Sequence, residues 1–260
     1  MLSDLVKVTH DVGARILQCR AEGNLAGDWQ GTQFKAVADT IADECMRAGL
    51  LRIADIPVVS EEDLASQSLE RPKRYWLIDP IDGTASFVHG FSGFVCQAAL
   101  IEDGQAVLAA VHAPALENTY AAQRGKGATL NGRPITTRKA DRDDVILVDN
   151  YPEPRGLAAR VFRDLPCSKY LESGSIGLKI CLVAQGAADL FAKDVPLRDW
   201  DVAAPQLILS EAGGVLRRFD GEAFVLAGPF EKLGLIAAAS PALQARVSEV
   251  VALDRAQTKA

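Results

Sequence analysis

Asp79 and Asp82 stand three residues apart at the close of an apolar run, in the stretch WLIDPIDGTASF from Trp76 to Phe87. Tyr75 to Ile78 read as a buried strand, Pro80 cannot extend its hydrogen bonding, and Gly83 permits a turn. Both carboxylates are therefore expected to leave the sheet at one edge. Together with the Ile81 carbonyl between them, they offer three oxygen donors to a common point, a set suited to a hard cation such as Mg2+. Directly afterwards Gly83 and Thr84 can present backbone N–H groups at a turn that opens a helix, where an anion is favoured. The chemistry on offer is a divalent cation beside a phosphate. Asp-Pro and Asp-Gly are also common turn formers, and Thr84 can serve as a plain helix cap, so the segment alone leaves an ordinary turn open.

Two further segments supply acids. IPVVSEED (Ile56 to Asp63) is another strand-like run, and it places Glu61 and Glu62 where the chain should emerge from the sheet. A solvated acidic loop is the alternative, and for Glu62 or Asp63 singly it is the better one. LRDWDVAAPQLILSEAGG (Leu197 to Gly214) sets Asp199 and Asp201 just ahead of an apolar helix that Gly213 and Gly214 end. Acids in a first helical turn stabilise the macrodipole with no catalytic role, which suits Asp199 equally well. Asp201 differs, because its neighbour Trp200 would bury the turn and aim that carboxylate back toward the strand ends.

These three segments, in this order, resemble the inositol monophosphatase family, within the wider superfamily of Mg2+-dependent, lithium-sensitive phosphatases. The family's D-P-x-D-G-T-x-x-F pattern is matched by Asp79, Pro80, Asp82, Gly83, Thr84 and Phe87. Its W-D, apolar helix and E-A-G-G are matched by Trp200, Asp201 and Glu211 to Gly214. The resemblance runs from the helical N-terminus to the closing strand near Leu235. It implies an α-β-α-β-α sandwich, two or three Mg2+ ions between its halves, hydrolysis of a small-molecule phosphate ester, and a homodimer. By the same resemblance Glu61, Asp79 and the Ile81 carbonyl would hold one Mg2+, and Asp79, Asp82 and Asp201 a second. In the family a threonine beside the motif and an upstream aspartate orient the attacking water; here they would be Thr84 and Asp39. Ala36 departs from the threonine usual three positions before that aspartate, and a surface helix face is the alternative for Asp39.

The leaving-group side is read in the same way. Gly174 and Ser175 precede an amphipathic helix in ESGSIGLKICLVAQGAADLFAKD (Glu172 to Asp194) and resemble the segment lining the family's leaving-group pocket. Asp194, seven residues before Asp201, matches a sugar-contacting acid, with a strand-end aspartate facing water as its alternative. Ser86 replaces the asparagine usual in D-G-T-x-N-F, and SIGLKICLVAQG is closer to bacterial bisphosphate nucleotidases. Against that branch, Ala85 and Ser86 stand where those enzymes typically have Lys-Glu, and FVHGF follows as in inositol phosphatases. The ester stays open between inositol 1-phosphate, 3′-phosphoadenosine 5′-phosphate, histidinol phosphate and a sugar phosphate.

Hydrolysis of such an ester must neutralise charge, lower the pKa of a water and stabilise the departing alkoxide, and two metals can do all three. The five cysteines are scattered with no nucleophile loop around any of them, which favours direct in-line attack by metal-activated water. From another class comes a regulatory scaffold that keeps the fold and binds proteins without turnover. Converging carboxylates without a metal would repel one another, which argues for catalysis. His89 reads as a polar loop residue near the substrate mouth, and His10 and His112 as structural. Lys35 and Lys179 are candidates for a second anionic group, or else solvated or snorkelling lysines. Gly125 and Gly127 read as a turn rather than a phosphate loop.

Positioning these groups takes a sizeable scaffold. The 260 residues, 48% hydrophobic, suffice for a substantial core, and the net charge of −6 with interspersed signs disfavours nucleic acid as a primary partner. No apolar stretch reaches membrane-span length, no signal-peptide block opens the chain, and cysteine spacing suggests neither disulfides nor zinc, so a cytoplasmic protein is expected. Leu2 to Arg20 and Phe34 to Gly49 read as helices, the second broken by Gly49. Strands are expected at Pro57 to Ser60, Tyr75 to Asp79, Phe94 to Ile101, Ala106 to Ala113, Thr119 to Gln123 and Ala128 to Leu130, with turns at Glu102 to Gln105, Arg124 to Gly127 and Asn131-Gly132. After Asp141 strand and helix alternate through Val145 to Asp149, Gly156 to Arg163, Ile176 to Gln185 and Val202 to Ala212. A strand at Leu235 to Ala239 and a helix at Pro241 to Leu253 follow. This order describes layered α+β and α/β architecture. The seam between an N-terminal half, 1–140, and a C-terminal half, 141–260, lies within one cooperative unit.

Overall fold

The computed structural model describes residues 1–23, 27–30, 33–68, 70–138 and 144–257. Helix α1 (Leu2–Ala21) is followed by a hairpin of β1 (Gly27–Gln30) and β2 (Gln33–Ala36), then by α2 (Val37–Ile53). A seven-stranded sheet comes next: β3 (Val58–Ser60), β4 (Arg74–Asp82), β5 (Val95–Glu102), β6 (Gln105–Ala113), β7 (Asn118–Gln123), β8 (Ala128–Leu130) and β9 (Arg133–Ile135), ordered as in the chain. The short helix α3 (Thr84–Val88) lies between β4 and β5. The second half comprises β10 (Val145–Asp149), α4 (Gly156–Asp164), β11 (Cys167–Glu172), α5 (Ile176–Ala184), β12 (Leu190–Arg198), α6 (Asp199–Glu211), β13 (Val215–Arg218), β14 (Glu231–Ala238) and α7 (Pro241–Gln257). Its strands form a five-stranded sheet in the order β11-β10-β12-β14-β13.

The period-two alternation of side chains sorts these elements into five layers. Trp76 and Ile78 of β4 share a buried cluster with Cys96, Ala98 and Leu100 of β5 and with Val12 and Ile16 of α1 and Met46 of α2. The intervening Tyr75 and Leu77 face the other way, into a cluster with Ile180 of α5, Ile208 of α6, and Phe191 and Leu235 of the second sheet. On the far side of that sheet Leu190, Ala192 and Ile236 pack with Val161 of α4 and Val247 of α7. The layers are thus helix, sheet, helix, sheet, helix, as expected. Covered on both faces, β4 reads as a continuous apolar run rather than an alternating one.

Several local expectations are corrected. Pro80 does not end the strand: β4 runs on to Asp82, which pairs with Val95 after a register shift between Asp79 and Asp82. Trp76 N–H and Ile78 C=O bond on the β3 side, so by alternation the N–H that Pro80 lacks falls where β3 has already ended. Gly49 does not break α2, which continues to Ile53; a Cβ there would stand 2.7 Å from Val8 Cγ1, so the glycine lets α1 and α2 approach closely. Strands β1, β2, β9, β11, β12 and β13 add to those read from sequence, β2 taking Phe34 to Ala36 from the expected start of α2, and α7 extends past Leu253 to Gln257. The hairpin turns stand, with Asp103 and Gly104, and Asn131 and Gly132, at positive φ. The Arg124–Gly127 turn holds no phosphate loop, since Gly125 and Gly127 N–H both donate to the Glu211 carboxylate at 2.8 Å. The seam at Ala140 and the side chain of Lys35 lie outside what the structure describes. Among the described residues no helix is long and apolar enough to cross a membrane.

Candidate active site and metal centre

One carboxylate oxygen each from Glu61, Asp79 and Asp201 lies within 4.8 Å of the others. Three separate elements bring them there. Asp79 sits fully buried at the bulge of β4, which turns its side chain out of the regular ladder. Glu61 follows β3, held alongside β4 by its N–H to the Ile78 carbonyl at 3.4 Å. Gln67 Nε2 braces this turn by donating to the carbonyls of Ser60 at 2.9 Å and Glu61 at 3.1 Å. Asp201 lies in the first turn of α6, where its Oδ2 also accepts the Arg198 N–H at 2.7 Å and so caps the helix. Asp63 stays out of the trio: it caps a 3-10 turn through Ala65 N–H at 3.1 Å and pairs with Arg47 at 3.0 Å.

Asp82 is buried beside the trio but turned to another task. Its carboxylate accepts Gly177 N–H at 2.6 Å and Ile176 N–H at 3.4 Å, at the start of α5. Its charge is nonetheless felt by Asp79 and Asp201. Thr84 opens α3 behind Gly83, whose left-handed φ of 91° a side chain would strain. The Thr84 hydroxyl lies 3.1 Å from the Ile81 carbonyl and 3.3 Å from Asp39 Oδ1, and one proton serves both. Asp39 itself is buried in the first turn of α2, not on a surface face.

Burial raises the Asp79 pKa well above the ordinary carboxylate range, and the charges of Glu61, Asp82, Asp201 and Glu62 push it further. Asp201 is raised by burial and then by Glu61 and Asp82. Asp82 is raised by burial too, opposed by the Gly177 hydrogen bond and the Lys179 charge. Carboxylates held this close favour either shared protons or a cation. All three donors are hard oxygens, so Mg2+ fits the set better than a softer metal.

Of the leaving-group candidates, Gly174 and Ser175 lie on the wall next to α3. Gly174 lines a cavity of about 500 Å³ with Ser86, Phe91, Asn150, Glu172 and Leu182. A Cβ on Gly93 would stand 2.6 Å from Gly174 N, so these two backbones meet only as glycines. Ser175 caps α5, its Oγ accepting Leu178 N–H at 3.0 Å and its own N–H reaching the Gly93 carbonyl at 2.6 Å. Asp194 lies on β12, 41% exposed and 4.0 Å from Arg160, apart from the acidic trio. Lys179 is neither solvated nor snorkelling: it is fully buried, bonds Asn150 Oδ1 and the Gly174 carbonyl, and burial pushes its pKa down to about 7. His89 is exposed just after α3, while His10 and His112 share the Thr119 hydroxyl at 2.7 and 2.9 Å.

Two contributors escaped the sequence reading. Gln97 is fully buried on β5, its Nε2 3.1 Å from the Trp200 carbonyl and 3.5 Å from Asp79 Oδ2. Gly177 leaves room for this arrangement, since a Cβ there would stand 2.5 Å from Gln97 Oε1 and 3.0 Å from Asp82 Oδ2. The signal for Gln97 was a lone amide inside the apolar strand VCQAALI.

The inositol monophosphatase family model matches residues 5–254. The 3′(2′),5′-bisphosphate nucleotidase CysQ of Shigella flexneri is 34% identical over 195 residues, 71% of this chain and 76% of the relative. The fructose-1,6-bisphosphatase/inositol-1-monophosphatase of Thermotoga maritima is 33% identical over 198 residues, 74% of this chain and 75% of the relative. The extragenic suppressor protein suhB from Bartonella henselae superposes with a TM-score of 0.82, covering 96% of this chain and 97% of that one at 23% identity, a likeness of fold.

Proposed function

The chain belongs to the inositol monophosphatase family and is a phosphomonoesterase, and on that premise we propose that it hydrolyses a small soluble ester of the inositol 1-phosphate kind, using two or three Mg2+ ions. The observation that carries this reading is the meeting of Glu61, Asp79 and Asp201 from three elements beside the Thr84–Asp39 pair. Mg2+, on which the family depends, supplies charge neutralisation at the phosphate and a water acidic enough to attack near neutral pH.

Glu61, Asp79, Asp82, Asp201 and the Ile81 carbonyl hold the ions in this reading. Thr84 Oγ1 orients the attacking water, and Asp39 accepts the hydroxyl proton that fixes the rotamer. Backbone N–H groups of Gly83 and Thr84 receive the phosphate at the start of α3. By the family resemblance we assign Gly174, Ser175 and Asp194 to the leaving-group side. We further assign lithium sensitivity and a homodimer on the family resemblance, and a cytoplasmic location on the composition and cysteine usage.

A second reading, a 3′(2′),5′-bisphosphate nucleotidase, is favoured by the 34% identity with CysQ, with histidinol phosphate a further candidate. Phosphate release decides between them: kcat/KM is measured at fixed Mg2+ for inositol 1-phosphate, 3′-phosphoadenosine 5′-phosphate, histidinol phosphate and a sugar phosphate. The first is expected to lead. Preference for the nucleotide would replace the leading reading with the second, and silence across the panel would contradict both.

A further inference from the structure

Asp199 opens α6 fully buried, and two cations converge on it from elements distant in sequence. Arg71 Nη1, on the segment leading into β4, lies 2.5 Å from Asp199 Oδ2, and Lys232 Nζ, on β14, lies 2.5 Å from Oδ1. Both cationic side chains are themselves only 8% exposed. A carboxylate serving the helix dipole alone would need neither partner, because solvent suffices at a surface helix end. Three desolvated charges add little to stability compared with apolar groups of the same shape.

Further contacts surround this turn. Arg71 donates from Nη2 to the Gly228 carbonyl at 2.9 Å and stacks 3.9 Å over the Phe230 ring. Lys232 Nζ donates to the Pro229 carbonyl at 2.9 Å, and Asp199 N–H to the Phe230 carbonyl at 3.1 Å. Trp200 packs on Phe230 with ring centroids 5.4 Å apart. On the opposite side Gln97 ties the Trp200 carbonyl to the neighbourhood of Asp79. One residue further stands Asp201.

We propose that Arg71 and Lys232 are positioning residues for the metal centre: by clamping Asp199 they hold the first turn of α6 in the orientation in which Asp201 meets Glu61 and Asp79. The proposal rests on the reading of that trio as the metal site.

The test measures Mn2+ binding to the full-length, metal-stripped protein by the electron paramagnetic resonance signal of free Mn2+. Arg71→Met and Lys232→Met are expected to raise the Mn2+ Kd on the order of tenfold or more, the usual effect of losing a group that orients a ligand. Arg71→Lys and Lys232→Arg, which keep the charge, are expected to fall between wild type and the methionine variants, and they decide the matter if the latter do not fold. Arg138→Met removes a partly buried cation from Asp189 and Asp144 elsewhere; it should lower Tm and leave the Mn2+ Kd unchanged. Wild-type Mn2+ affinity in folded clamp variants, whatever their Tm, would overturn the proposal. Asp79→Asn separates the two layers: if it abolishes Mn2+ binding while clamp variants bind normally, only the clamp is wrong. If it binds Mn2+ normally, the trio is not the metal site and both ideas fall.

Discussion

Asp79 is fully buried, and burial first, then the charges of Glu61, Asp82, Asp201 and Glu62, push its pKa well above the ordinary carboxylate range. Asp79→Asn removes a charge from the point where the ions would be shared. It is expected to lower kcat at least on the order of a hundredfold in a phosphate-release assay, and near-normal turnover would contradict the assignment. Gly177→Ala tests the packing behind it. Alanine favours the helix but drives a methyl into Gln97 and Asp82, so activity should fall roughly tenfold or more while α5 remains folded by circular dichroism. Asp79, Asp82, Gly83 and Thr84 were legible because one short motif holds them all. Lys179 was misread because sequence shows a lysine at a helical position without showing that the segments carrying Gly174 and Asn150 meet its amine.

At the scale of elements, α1 and α2 touch where a side chain has been removed. Gly49→Ala gains about 1 kcal/mol of helix propensity but presses a methyl against the stiff Val8, an overpacking that costs about 1–3 kcal/mol. The expected net is a loss of about 1 kcal/mol in chemical denaturation with kcat unchanged; a stabilised protein would show that the helices separate freely. The same glycine looks like a helix stop in sequence, because local punctuation carries no information about a partner 41 positions earlier. Strand β11 was hidden for a related reason. It sits at the sheet edge, largely uncovered, and CSKYLE lacks the apolar run that marked β4 and β5. Proline in β4 was read as an end because its exclusion from strands applies only where the missing N–H has a neighbour to bond.

Across the whole molecule, three cores tie five layers through shared sheets, which predicts a single cooperative unfolding transition rather than separate melting of the halves on either side of Ala140. A layered α/β architecture was legible from the order of runs and its five-layer order came with the family resemblance, whereas the convergence of the acids depends on the turns after β3 and β12 and the bulge in β4, which no single stretch specifies. That convergence gives stability a particular pH dependence. Asp79 and Asp201 have folded-state pKa values above those of free carboxylates, so their contribution is full below the ordinary carboxylate range and lost as pH rises through the raised values. Mg2+ binds the ionised form, so its gain in Tm should be larger at about pH 8 than at about pH 5; an equal or reversed gain would separate the metal from these acids. The most direct measurement is anomalous diffraction from Mn2+ in crystals of the protein. The account predicts a peak bounded by the carboxylates of Glu61, Asp79 and Asp201, and Mn2+ found only on unrelated surface acids, with that trio empty, would contradict it.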